Sequence, residues 1–258
     1  MIVVLVRKQT RLKALATVLL LGFIAISWTT RYSLSTIISQ VSGKLRPIYR
    51  VTAARNAVAL TFDISWGEVS PTRVLDALRS KGVRSTFFLS GPWAAAHPDV
   101  VRRIASDGHE IASHGYHHDN YSQLSRERIA QDLRKTREIL TNLAGREAKI
   151  LRPPNGDFDD MSIMAAMEEG YLTIIWSLDS LDWKNPGVDY MIDRLLTRAQ
   201  AGDIILCHAS DSARETYLAL PAVIDGIRQK GLEFVTVTEL LGMAGEQYMI
   251  QPDRNLLR

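Results

Sequence analysis

Gly82, Gly108, Gly145, Gly170, Gly202 and Gly231 each fall between the end of an amphipathic stretch and the start of an apolar, β-branched run. Glycine makes the left-handed turn that ends a helix without a steric cost, so its repeated use there describes βα units joined by short αβ turns. The runs Ala57–Phe62, Ser85–Leu89, Glu110–Ser113, Lys149–Leu151, Tyr171–Leu178, Asp203–Cys207 and Glu233–Val237 read as strands. Helical patterns fall between them. One opens at Ser70-Pro71, read as an N-cap with proline at the first helical position, and the others cover Pro98–Asp107, Ser125–Leu143, Asp160–Glu169, Val188–Ala201 and Ser212–Lys230. Seven strands in this alternation imply a parallel α/β sheet, either an incomplete (β/α) barrel or a doubly wound sheet.

The chain of 258 residues has room for one large domain, expected over 53–242, with a C-terminal tail at 243–258. Ahead of it, a basic flank (1–13) with Arg7, Lys8, Arg11 and Lys13 precedes an apolar run at 14–30. That arrangement reads as a single membrane anchor or signal segment, followed by a Ser/Thr-rich linker at 31–52. The positive-inside rule then keeps the first residues cytoplasmic and places the domain outside the cell membrane. Residues 1–52 hold eight Lys or Arg and no acid, more than the whole-chain net charge of +3, so the rest is net acidic. No basic stripe with interleaved aromatics remains to bind nucleic acid. Cys207, the single cysteine, sits in an apolar run and reads as a small buried hydrophobe.

Reactive side chains cluster at the ends of the runs. Asp63, His114, Arg152, Asp179 with Asp182, and His208 each lie at or just beyond the carboxyl end of an expected strand, where βα loops form the concave face of such folds. His114 and His118, four residues apart, can share a divalent metal, typically zinc. A carboxylate such as Asp63 at a strand end is costly to bury without a partner, and Arg152, held extended by Pro153 and Pro154, is a candidate to clamp it bidentately. Trp66 and Trp183 are compatible with stacking on a sugar, although core packing is the commoner role for either one taken alone.

Five segments in order resemble the motifs of the polysaccharide deacetylases with a NodB-homology domain, carbohydrate esterase family 4: Thr61-Phe62-Asp63, His114 to His118, Arg152-Pro153-Pro154, Asp179 to Trp183, and Leu206-Cys207-His208. The stretches around Asp63 and Arg152 look most like the sporulation-associated branch. The resemblance implies a distorted, incomplete (β/α) barrel that removes N-acetyl groups from a glycan, peptidoglycan or chitin-like. It makes Asp63 the general base, Arg152 its orienting partner, His114 and His118 ligands of a divalent metal such as zinc, and His208, held by Asp182, the general acid. Trp183 and Leu206 would wall the acetyl pocket, with Asp179 and Asn155 in the substrate-binding segments.

Two positions depart from the pattern. Where the family carries a second aspartate as a metal ligand, this chain has Ile64, and Asn155 stands where an aromatic is usual. Either another acid makes up the missing ligand, with Asp119, Glu68 and Asp157 as candidates, or Asp63 itself moves onto the metal and stops acting as base. The alternative is a glycan-binding pseudoenzyme of the same fold.

Overall fold

Residues 45–244 are described by the computed structural model. The expected basic flank and membrane segment, nearly all of the linker and most of the C-terminal tail lie outside those residues. Among the described residues, no helix is long and apolar enough to cross a membrane.

The central strand β1 (Ala57–Ile64) is buried along its whole length, and its alternation sorts side chains onto two faces. Val58, Leu60, Phe62 and Ile64 join a core shared with helices α1 (Val69–Lys81), α4 (Arg126–Ala144) and α7 (Thr216–Gln229). Ala57 and Ala59 instead face the interior of a curved sheet, together with Phe88, Ala112, Ile150 and Ile204. Strands β2 (Thr86–Leu89), β3 (Glu110–Ser113), β4 (Ile150–Leu151) and β5 (Leu172–Thr173) extend the sheet on one side of β1, and β7 (Ile204–His208) and β6 (Leu178–Asp179) on the other. All pairings are parallel, in the order β5-β4-β3-β2-β1-β7-β6, and β8 (Glu233–Val235) pairs the first half of β1. This is the distorted, incomplete barrel. Val51, Ala54 and α8 (Val237–Gly242) fill the interior at the amino ends of the strands.

The expected run Tyr171–Leu178 is not one strand. Its backbone leaves β4 after Ile174 N–H bonds Leu151 O at 2.7 Å, crosses the open edge through a bond from Ile175 N–H to Ile48 O at 2.8 Å, and rejoins the sheet at β7. Seven apolar runs therefore become eight strands, because one run spans the gap between the two open edges. Helices α2 (Gly91–Ala96) and α8 were not legible as separate elements, both being single short turns, whereas α3 (Pro98–Ser106), α5 (Asp160–Glu168) and α6 (Val188–Arg198) lie where expected.

Helix α1 corrects a second expectation. It begins at Val69, so Ser70-Pro71 occupies its first turn and Ser70 is not the cap. The cap comes from across the chain: the Asp211 carboxylate accepts from the N–H groups of Glu68 at 3.0 Å, Val69 at 3.1 Å and Ser70 at 2.7 Å. An acid there satisfies orphan donors and meets the positive end of the helix dipole. Gly82 closes the helix in the left-handed region at φ 59°, as expected, and the same turn recurs before the later strands.

His109 yields a stability prediction. It is buried between α3 and β3, its Nδ1 accepts from Ser85 N–H at 3.1 Å, and its Nε2 has no partner. Burial pushes its pKa down to about 4. The neutral ring therefore contributes stability that is present above the ordinary value of 6.5 and lost as pH falls toward 4. His109→Gln is expected to flatten the decline in urea-unfolding free energy between those pH values; an unchanged acid slope would assign that decline to other groups.

Candidate active site

The alternation that sorts the core also aims the reactive side chains. Asp63 follows Ala57, Ala59 and Thr61 on the interior-facing parity of β1; Arg152 follows Ile150, His114 follows Ala112, and His208 follows Ile204 and Leu206. Asp63 and His208 are direct register partners across β1 and β7, and Asp179 pairs with Leu206 across β6 and β7. The sheet thus gathers these residues at one end of the barrel interior.

On one side stands Asp63 with Arg152. Arg152 is fully buried, with its guanidinium 4.0 Å from the Phe88 ring centroid and 5.6 Å from that of Trp176. Its fork does not clamp Asp63 bidentately as expected: one nitrogen donates to Asp63 Oδ1 at 2.6 Å and the other to Ile175 O at 3.1 Å. The crossing segment between β5 and β6 claims the second nitrogen, which leaves Asp63 Oδ2 free, 3.8 Å from His114 Nε2. Burial opposes a charge on Asp63, but Arg152, His114 and His208 outweigh it and hold the carboxyl below the usual carboxylate range.

On the neighbouring strand stands His208 with Asp182. Asp182 is buried, and its carboxylate accepts from His208 Nδ1–H at 2.8 Å, from the His208 backbone N–H at 2.7 Å and from Thr216 Oγ–H at 2.7 Å. Burial works against an imidazolium, yet the Asp182 hydrogen bond and charge raise the His208 pKa above its ordinary value. Two groups facing one space are thereby driven toward opposite charge states. Burial raises the Asp179 pKa; its carboxylate receives Leu181 N–H at 2.7 Å and Trp183 Nε1–H at 3.5 Å. Leu206 is buried behind His208, and Cys207 is a buried hydrophobe whose thiol burial raises well above its ordinary range.

His114 is built like a ligand. Its Nδ1–H donates to Arg152 O at 2.8 Å, fixing a tautomer that leaves the Nε2 lone pair free, and burial lowers its pKa to about 4. The His118 ring stands edge-on to it with centroids 5.2 Å apart. Asp132 on α4 secures the loop between them, accepting from Tyr116 N–H, His117 N–H and Tyr121 Oη–H.

A complete metal site does not form around this pair. Among the described residues, no three His, Cys, Asp or Glu side chains converge to hold a metal ion. Ile64 has helix-side parity and is fully buried in the outer core. Glu68 pairs with His97 at 3.1 Å, Asp157 caps Ser122 N–H at 2.7 Å, and Asp119 is exposed beside His118. None of these three makes up the third ligand, so apart from Asp63, whose Oδ2 lies 3.8 Å from His114 Nε2, the donor set is two imidazoles. Asn155 is also turned away, its amide donating to Asn120 Oδ1 at 2.8 Å.

Sequence reasoning missed Thr216, Asp132, Asp211 and Trp176. Each acts through a partner far away in the chain, and none carries a local pattern that marks it.

In this chain a strand-end aspartate thus stands beside a carboxylate-held histidine on the neighbouring strand of an incomplete barrel. The polysaccharide deacetylase model matches residues 50–174. A peptidoglycan-N-acetylglucosamine deacetylase of Bacillus cereus is 33% identical over 192 residues, covering 74% of this chain and 70% of that protein. The uncharacterized protein YlxY of Bacillus subtilis is 35% identical over 195 residues; the match takes 76% of this chain but spans only 60% of that relative. A crystal structure of a Bacillus anthracis protein described as a carbohydrate esterase family 4 pseudoenzyme superposes with a TM-score of 0.72 at 31% identity, covering 76% of this chain and 69% of that one. The chain belongs to the polysaccharide deacetylase family, with the NodB-homology domain of carbohydrate esterase family 4.

Proposed function

We propose that the domain acts on an N-acetylated glycan of the peptidoglycan type and retains the proton-transfer half of N-deacetylation. Asp63 takes a proton from water as the water oxygen bonds the acetamide carbonyl carbon. His208 then protonates the sugar nitrogen as the C–N bond breaks, releasing acetate and a free amine. Arg152 orients Asp63, Asp182 holds His208, Trp183 and Leu206 wall the acetyl group, and Asp179 anchors the Trp183 indole. The observation that carries this reading is the pair itself: an aspartate bound by Arg152 and a histidine bound by Asp182 sit side by side on neighbouring strands, their pKa values shifted down and up respectively. Without a third ligand, turnover is slow, since polarisation of the carbonyl is the component the site is short of.

A second reading, a glycan-binding pseudoenzyme, is favoured by Ile64 and by the similarity to the Bacillus anthracis pseudoenzyme. Acetate release separates the two. Asp63→Asn is expected to lower it by roughly 10²-fold or more while leaving glycan binding in place; equal release by the two proteins selects the pseudoenzyme.

The pH profile follows from the two shifts. Asp63 must be anionic and His208 protonated, so the rate falls on an alkaline limb whose midpoint lies above the ordinary histidine value of 6.5, as His208 loses its proton. Asp182→Asn removes the cause of the raised value and is expected to move that limb down. A limb that stays put would remove His208 from the acid role.

The reading includes export. The basic flank precedes the apolar run, which orients the domain outside the membrane. Protease added to intact cells or spheroplasts is then expected to degrade residues 53–258, whereas full protection would contradict that orientation.

A further inference from the structure

The loop after β1 carries an aromatic group that the chemistry above leaves unused. Trp66 follows Asp63 by three residues and keeps 49% of its surface exposed, although an indole is a large apolar group that folding normally hides. Its exposure is not the result of a loose loop. The Trp66 Nε1–H donates to Ser212 Oγ at 3.2 Å, and Trp93 Nε1–H donates to Gly67 O at 2.8 Å. Asp211 holds the next three backbone N–H groups. Gly67 lies so close to Asp211 that a Cβ there would stand 2.6 Å from its carboxyl carbon, and its φ of 94° suits glycine.

The indole therefore stands in one place with its polar edge satisfied and an apolar face open. That face belongs to the site, because the Trp66 ring meets the His118 ring edge-on with centroids 5.7 Å apart. Across the same loop, Asn185 donates to Ser212 O at 2.8 Å and accepts from Arg214 N–H at 2.9 Å, only two residues after Trp183. Trp183 is 48% exposed with its own Nε1–H turned to Asp179. Two rigid, half-exposed indoles thus flank the segment that follows His208.

We propose that Trp66 is a second sugar-binding subsite, stacking a pyranose ring one or more units along the chain from the sugar held at Trp183. The inference rests on the glycan reading above and extends it: the site takes an oligosaccharide and not a single amino sugar. A pyranose has one face of C–H groups, and a fixed aromatic plane with little rotamer freedom to lose is the surface that face recognises. The glycan then crosses the barrel end from Trp183 over His208 to Trp66.

The test is calorimetric titration of the full chain with the dimer and the tetramer of N-acetylglucosamine, in wild type, Trp66→Ala and Trp66→Phe, with acetate release followed in parallel. Wild type is expected to bind the tetramer more tightly than the dimer. Trp66→Ala is expected to weaken the tetramer by about 10- to 100-fold with little change for the dimer, and Trp66→Phe to keep most of the affinity. Tetramer binding by Trp66→Ala equal to wild type, or a wild type that does not distinguish tetramer from dimer or binds neither, overturns the subsite. Length-dependent, Trp66-dependent binding without acetate release keeps the subsite and removes the hydrolytic reading. Acetate release with a length dependence untouched by Trp66→Ala keeps the hydrolytic reading and removes the subsite.

Discussion

Replacing Arg152 with methionine is expected to destabilise the protein at pH 7 by about 3–5 kcal/mol, because it strands the Asp63 carboxylate in a buried place without its partner. The guanidinium is fully buried against Phe88 and Trp176, and it is the strongest of the attractions that outweigh the cost of burying Asp63. The loss should depend on pH in a set direction. In the native chain Asp63 lies below its ordinary value of 3.8, so its contribution is present above that pH and fades as the pH falls. In Arg152→Met the strongest attraction opposing burial is gone and the Asp63 pKa rises, so the penalty is largest at neutral pH and shrinks in acid as the group becomes neutral. Urea unfolding at pH 7 and pH 4.5 measures both, and Asp63→Asn in the Arg152→Met background should recover part of the loss. An Arg152→Met protein that unfolds like the wild type at pH 7 would mean that the pair is not coupled in the folded state.

Ile64→Asp is expected to change metal binding more than any other single replacement. With metal absent, a carboxylate replaces a fully buried side chain at the end of β1 and should cost several kcal/mol. With Zn²⁺ present, that carboxylate supplies the ligand the His114–His118 pair lacks only by turning out of the helix-side core, around the end of β1, toward the imidazoles. Zn²⁺ should therefore raise the melting temperature of Ile64→Asp by far more than that of the native chain, by ligand linkage. The gain should vanish in Ile64→Asp with His114→Ala. Equal zinc stabilisation of native and Ile64→Asp proteins would show that position 64 cannot reach the imidazoles.

Features encoded within a few residues were legible from the sequence. Helix-ending glycines act locally, which is why Gly82 and Gly145 mark the ends of α1 and α4. Period-two alternation in Ala57–Ile64 places Asp63 and Ile64 on opposite faces, and the strand-end position of Asp63, His114, Arg152 and His208 brings them to one end of the barrel. Contacts between distant segments were not legible. Asp211 caps α1 from a loop 142 residues away at Val69. The second nitrogen of Arg152 goes to Ile175 O because a hydrophobic run that reads as one strand breaks to cross the barrel's open edge. The exposure of Trp66 and Trp183 was equally hidden, since an indole in a motif loop reads the same whether it is buried or displayed.

The most direct test of the opposed acid–base pair is acetate release from N-acetylated peptidoglycan by the full chain, measured beside Asp63→Asn and His208→Asn. Slow release by the native chain, lost in both variants while glycan binding survives, is the predicted result. Release indistinguishable among the three proteins would contradict the account and leave a domain that binds glycan without cutting it.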